Sequence, residues 1–250
     1  HTPVDGRVMD FNRLAKFGEE GVLAVLIDST NAERPGFTKS ETMVGETISE
    51  VLRLSSNRVI LATFASNVHR IQQVINAAAK HKRKVAVNGR SMVNVVSIAS
   101  ELGYLQDRHH VLVELEQAIK MPPNKVVLLT TGSQGEPMSG LSRMASGDHR
   151  QVEIVPGDTV IFAASAIPGN EKLVSRTIDN LFRLGADVIY EPVTGTHVSG
   201  HASQEEIKLI LSLLKPRYAI PVHGEYRHCV HFQKLAKAQE IGRASCRERV

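Results

Sequence analysis

The chain has 250 residues, 42% hydrophobic and 22% charged, which is enough apolar material for one large or two small globular units and too mixed in sign for disorder. Aromatics make up 4% and tryptophan is absent, which argues against an aromatic-rich sugar or base platform. No run of about 18 apolar residues occurs, so no membrane span is expected, and two cysteines, Cys229 and Cys246, exclude a disulfide framework and point to a reducing cytoplasm.

The chain opens at His1 on a turn-like phrase, HTPVDG, which reads as the start of a fragment, and no leader-like segment signals secretion. Residues 22–28 (VLAVLID) form an apolar run ending in an acid, the pattern of a buried strand. Residues 44–54 read as a helix, 58–63 (RVILAT) as a strand and 67–80 as a helix with Val68, Ile71, Ile75 and Ala78 on one face. A strand at 84–87 and a helix at 92–102 follow, then a strand at 125–130 (KVVLLT) and a short helix at 137–144. Residues 159–164 (TVIFAA) are a strand, and 171–184 a helix burying Val174, Ile178, Leu181 and Phe182. Strands at 187–190 and 218–222 alternate with helices at 204–214 and 227–238.

Such alternation predicts an α/β fold with parallel strands and right-handed crossovers, its sheet covered on both faces. Pro and Gly gather near 38–44 and 191–196, which brackets a compact α/β unit of about 150 residues. The last ten residues, IGRASCRERV, lack an apolar period and resemble the translated read-through of a widely used short-read sequencing adapter, so 241–250 is set aside from the fold. Without its three arginines and one glutamate the formal net charge falls from +4 to +2, and a nucleic-acid partner cannot be argued from charge alone.

Chemistry is concentrated at strand ends, where ligands of open parallel sheets bind. Three such ends carry small polar residues that lead into helices: Ser66, Asn67 and His69; Gly89, Arg90 and Ser91; and Gly132, Ser133 and Gln134. Helix N-termini offer free N–H groups and partial positive charge to a phosphate, and Arg90 adds a bidentate donor. The same residues also serve as helix caps and turns. Neither G-x-G-x-x-G nor G-x-x-x-x-G-K-[ST] is present, which counts against a dehydrogenase or NTPase.

A second group is His197, Ser199, Gly200 and His201, just ahead of a capping box, Ser203 with Glu206. An imidazole here can protonate a leaving oxygen or bind phosphate, but the following helix dipole opposes its positive form. An acid partner is therefore needed, and Asp28 at the end of the first strand is the candidate. A loop histidine that merely caps or packs is the plainer alternative. A third is PVHGEYRH, in which His223 at a strand end suits a metal, although catalytic zinc takes about three protein ligands. His228 and His231 are expected on the next helix facing solvent, and Cys229 as a small buried apolar residue.

Taken with DSTN at 28–31, PGFTKSE at 35–41, ATFASNVHR, GRSM, TGSQGEPMSGLSR, PGDTV, IPGNE, HVSGHASQEE and PVHGEYRH, the chain resembles bacterial ribonuclease J over residues 1 to about 240. The resemblance implies a metallo-β-lactamase fold with an inserted β-CASP domain. Residues 1–41 and 194–240 would belong to a partial metallo-β-lactamase αββα half and 42–193 to the β-CASP insert. It also implies a zinc-dependent 5′-to-3′ exonuclease and endonuclease acting in RNA maturation, ribosomal RNA included, and in decay. The partner would be single-stranded RNA with a 5′-monophosphate, the intact enzyme holding two Zn²⁺ ions and forming homo-oligomers. By resemblance His223 is a zinc ligand, and His201, oriented by Asp28, contacts the scissile phosphate or protonates the leaving oxygen. The three loops would line the RNA channel. A stand-alone RNA-binding α/β module is the alternative from another class, and a small-molecule metallo-hydrolase or α/β binding protein a third.

The family's H-x-H-x-D-H motif is expected upstream of His1. The chain by itself is therefore expected to bind zinc poorly and to cleave no RNA. Processive release of mononucleotides from 5′-phosphorylated RNA in the presence of zinc would overturn this. The partial αββα half is also expected to be less stable than the insert, which equal hydrogen-exchange protection of the two would contradict.

Overall fold

The computed structural model describes residues 3–167, 169–190, 198–241 and 243–244. In chain order the elements are α1 (Phe11–Glu20), β1 (Ala24–Asp28), α2 (Thr42–Leu54), β2 (Val59–Ala62), α3 (Val68–Lys80), β3 (Lys84–Asn88) and α4 (Arg90–Glu101). Then come β4 (Leu112–Val113), α5 (Leu115–Ala118), β5 (Val126–Thr130), α6 (Gly140–Ala145), β6 (Thr159–Phe162), α7 (Glu171–Arg183) and β7 (Asp187–Ile189). The chain finishes with α8 (Gln204–Leu214), β8 (Tyr218–Val222), α9 (Tyr226–Ala238) and β9 (Arg243–Ala244). It divides into two compact units: a central one from Glu41, and a flanking one made of the stretch through Ser40 together with the stretch from Val198.

The central unit is a six-stranded parallel sheet in the order β4-β3-β5-β2-β6-β7. Every residue of β2, β5 and β6 is buried, which is why these segments read as unbroken apolar runs. Ile60, Leu128, Val160 and Phe162 meet Leu141 and Met144 of α6 and Ile178 and Leu181 of α7 in one cluster. Arg70 on α3 is 1% exposed, yet its charge is matched: it donates to Glu41 Oε1 and to the Ala163 carbonyl, each at 2.5 Å. Asp158, fully buried before β6, is likewise paired with Arg58 and accepts from the Val155 N–H at 3.1 Å.

Three local expectations are corrected. Phe182 is half exposed and sits edge-on to Tyr190 with ring centroids 6.5 Å apart, because Ile178 and Leu181 already fill the buried stripe of α7. Helix α6 begins at Gly140 rather than 137, since Ser139 Oγ caps it by accepting from the Ser142 N–H. Strand β1 is not buried on both faces: Leu26 is 66% exposed, while Val25 and Ile27 pack on the core of the flanking unit.

In that flanking unit β1 runs parallel to β8, and β8 parallel to β9. Its core joins Ile207 and Leu211 of α8, Ala219 of β8 and Phe232 and Ala236 of α9. Ile241, within the stretch that the sequence set aside, is buried in the same cluster, and Arg243 and Ala244 pair with Tyr218 and Ala219. Backbone pairing needs no side-chain period, so no pattern announced it. Helix α1 was also unannounced. It buries none of its residues, and Gly18 lets it approach α8 closely: a Cβ there would lie 2.0 Å from the Leu213 carbonyl oxygen.

The capping box of α8 does more than start a helix. Glu206 Oε2 accepts from the Ser203 N–H at 2.9 Å and from the Thr38 N–H at 3.0 Å, tying together segments 168 positions apart. Burial would raise the Glu206 carboxyl, but these N–H groups outweigh it and hold the group below its ordinary range. A carboxyl lowered by folding stabilises fully above its unfolded value of about 4.3, and the gain is lost as pH falls through the folded value. Glu206→Ala should therefore reduce stability by about 1 kcal/mol at neutral pH and by less in acid. Urea unfolding at both pH values checks this, and an equal loss at both would contradict it.

Candidate catalytic and metal centre

Strands β1 and β8 are parallel neighbours with Asp28 opposite Val222, so their carboxyl ends finish side by side. The residue after Val222 is His223, and the loop before α8 supplies His201. His201 Nδ1 lies 2.8 Å from Asp28 Oδ2, and the His201 and His223 rings stack with centroids 5.0 Å apart. His223 Nδ1 is 3.6 Å from the same carboxylate oxygen and 2.7 Å from Thr30 Oγ1. A carboxylate can only accept, so Nδ1 of His201 carries the proton in this pair and Nε2 is left for other chemistry.

The surroundings hold this arrangement. Asp28 Oδ1 accepts from the Thr30 N–H at 2.9 Å. Asn31 Nδ2 donates to the His201 carbonyl at 2.9 Å and to Ser199 Oγ at 2.8 Å, and Thr38 Oγ1 donates to the His201 carbonyl at 2.7 Å. Ser29, fully buried, donates its hydroxyl to the His223 carbonyl at 2.9 Å. His223 adopts φ +56°, a left-handed conformation uncommon outside glycine, which these contacts sustain. Thr30, Asn31 and Thr38 were not among the predicted site residues. Their signal was the DSTN and PGFTKSE phrases, but which loop they bind is set by tertiary pairing.

Among the described residues, Asp28, His201 and His223 form a group whose possible ligand atoms all lie within 4.8 Å of one another. Imidazole nitrogen and carboxylate oxygen are donor types that suit zinc, but His201 Nδ1 and Asp28 Oδ2 are engaged with each other, which leaves His223 as the ligand candidate. Ser199 lies in the same loop, Gly200 is exposed with open space around it, and His197 lies outside the described residues. His228 is corrected: it is buried, and its Nδ1 accepts from the Glu225 N–H at 2.9 Å as part of the cap of α9.

In the central unit, the carboxyl ends of β2, β3 and β5 lie along one edge of the sheet and enclose a cavity of about 820 Å³. Arg90, Ser91, Gly132 and Ser133 line it, as do Thr63, Arg143 and His149. Gly89 caps α4 without a side-chain bond, so the first N–H groups of that helix are left to solvent or ligand. Thr63 Oγ1 is buried with no hydrogen-bond partner among the described residues. Ser66, Asn67 and His69 do not line the cavity, and Asn67 caps α3 by accepting from the Arg70 N–H. Gln134 does not line it either. It is buried, and its carboxamide donates to the Ser165 carbonyl at 2.8 Å and accepts from the Ile167 N–H at 2.7 Å.

Residues 56–181 match the family described as ribonuclease J, β-CASP domain, and residues 185–245 match the Zn-dependent metallo-hydrolase RNA specificity domain. Similar curated proteins include ribonuclease J of Synechocystis, 48% identical over 96% of this chain and 38% of its own length. Ribonuclease J of Thermus thermophilus is 50% identical over 95% of this chain and 41% of its own, and ribonuclease J2 of Bacillus subtilis 48% over 97% and 44%. The chain thus spans about two fifths of the length of the curated relatives it matches. With half of its residues matched by the first of these families, the chain belongs to ribonuclease J, through its β-CASP domain.

Proposed function

We propose that this chain carries the RNA-recognising unit and part of the hydrolytic centre of a zinc-dependent ribonuclease with 5′-to-3′ exonuclease and endonuclease action. The observation that supports this most is the contact of Asp28 with His201, with the His223 ring stacked against that of His201. In this reading the Asp28 carboxylate accepts from Nδ1–H of His201, fixes the orientation of its ring and faces it with an opposite charge when Nε2 also holds a proton. Nε2 of His201 then contacts a phosphate oxygen or gives a proton to the leaving oxygen. His223 would hold metal together with residues of the intact protein, and two zinc ions bound there would supply an activated water and neutralise phosphoryl charge.

The cavity of the central unit receives the 5′-monophosphate of a single strand. Arg90, the hydroxyls of Ser91 and Ser133 and the first N–H groups of α4 are its donors. The Thr63 hydroxyl on the same wall, without a partner among the described residues, supports a polar ligand there. The intact protein works in the cytoplasm as a homo-oligomer.

In the intact protein that carries this chain, Asp28→Asn and His201→Ala should each lower RNA hydrolysis by about 10²–10⁴-fold. His201→Ala should keep its zinc content, whereas His223→Ala should lose zinc as well as activity. Arg90→Ala should weaken binding of 5′-phosphorylated RNA more than of 5′-hydroxyl RNA, with a shallower salt dependence. Wild-type hydrolysis in Asp28→Asn, or full zinc in His223→Ala, would overturn the proposal.

A further inference from the structure

Part of the wall of the central unit's cavity is a hydrogen-bonded layer that no sequence motif announced, and Asn88 and His149 belong to it. His149 comes from the loop after α6. Its Nδ1 accepts from the backbone N–H of Val152 at 3.1 Å and of Gln151 at 3.3 Å. A nitrogen that accepts from backbone N–H carries no proton, so the neutral ring bears its hydrogen on Nε2. Nε2 lies 3.2 Å from Asn88 Oδ1, which it therefore serves as donor. That contact decides which way the Asn88 carboxamide faces. Its Nδ2 is turned to Thr130 Oγ1 at 3.3 Å, and Thr130 Oγ1 donates to the Thr131 carbonyl at 3.3 Å.

Asn88 and Thr130 are 8% and 0% exposed, and both end strands whose following loops line the cavity. The layer is tightly enclosed: a Cβ on Gly140 would lie 2.2 Å from Thr130 Oγ1 and 2.7 Å from Asn88 Nδ2. Within this space neither amide nor hydroxyl can turn without losing its partner.

We propose that His149 is a positioning residue for the cavity: by fixing the Asn88 carboxamide it sets, through Thr130, the two loops at 88–91 and 131–133 that receive a terminal phosphate. The proposal rests on the reading of the cavity as the 5′-phosphate pocket. Burial, followed by the nearby Arg143 charge, lowers the His149 pKa, which favours the neutral ring that the layer needs. Asn88 and His149 both line the cavity, and the role assigned to His149 is exerted through its contact with Asn88.

The test uses the whole chain, adenosine 5′-monophosphate as the probe and adenosine as its control. His149→Ala and Asn88→Ala should each weaken nucleotide binding by about tenfold, and the double variant should weaken it no further than either single one. A turn-stabilising histidine would lower the melting temperature and leave the dissociation constant unchanged. Nitrogen NMR of the wild-type chain gives a second measurement that needs no variant. His149 should show a protonated Nε2 and a bare Nδ1, and the Asn88 side-chain amide should shift when the nucleotide is added but not when adenosine is. If the wild-type chain binds adenosine 5′-monophosphate no better than adenosine, the pocket reading falls and the positioning role with it. If the wild type prefers the nucleotide and His149→Ala binds it equally well, the pocket stands and the positioning role is overturned, as it is by a protonated Nδ1.

Discussion

The parallel pairing of β1 with β8 is the constraint on which the candidate centre depends. It sets Asp28 beside Val222, so the carboxylate of one strand and the imidazole that follows the other share an edge. His201 then needs only a loop anchored at the α8 cap to reach them, and Asn31 and Thr38 supply the anchors from the β1 side. A slip of one residue in this register would turn Asp28 to the opposite face of the sheet. The chemistry is therefore a property of strand alignment before it is a property of any side chain.

The central unit solves a different problem with the same geometry. Its strands are apolar throughout because both faces of the sheet are covered, so polar groups collect at the strand ends. Two buried charges of this unit are paired with an opposite charge, while buried Arg83 donates to the Ser55 and Asn57 carbonyls. Arg70 reaches Glu41 and a carbonyl, and Asp158 meets Arg58. Each such pair joins segments distant in sequence, Glu41 with α3 and Arg58 with the approach to β6.

Much of this was legible in the residues. Strand–helix alternation is a strong period, and it located the parallel sheet and the polar loops at its carboxyl edge. Asp28 was named as the acid partner of His201 from the dipole of the helix behind it, and the two side chains are in contact. What could not be read were features decided by neighbours far along the chain. The exposure of Leu26 on β1 depends on what covers that face, not on the run VLAVLID itself. Gln134 reads like a polar loop residue on offer to a ligand, yet its carboxamide is committed to backbone groups near 165–167. His228 looked like a helix-surface residue, but the cap of α9 draws its ring inward. Helix α1 escaped because it buries no side chain and leans on α8 through a glycine.

The bonded pair Asp28 and His201 is separated by 173 positions. A ribosome delivers the carboxylate before the central sheet and the imidazole only after that sheet has emerged. Domains tend to fold as they leave the ribosome, so the central unit can be complete while the acid–base pair is still divided. The contact between these two side chains therefore closes only after the chain between them has been made.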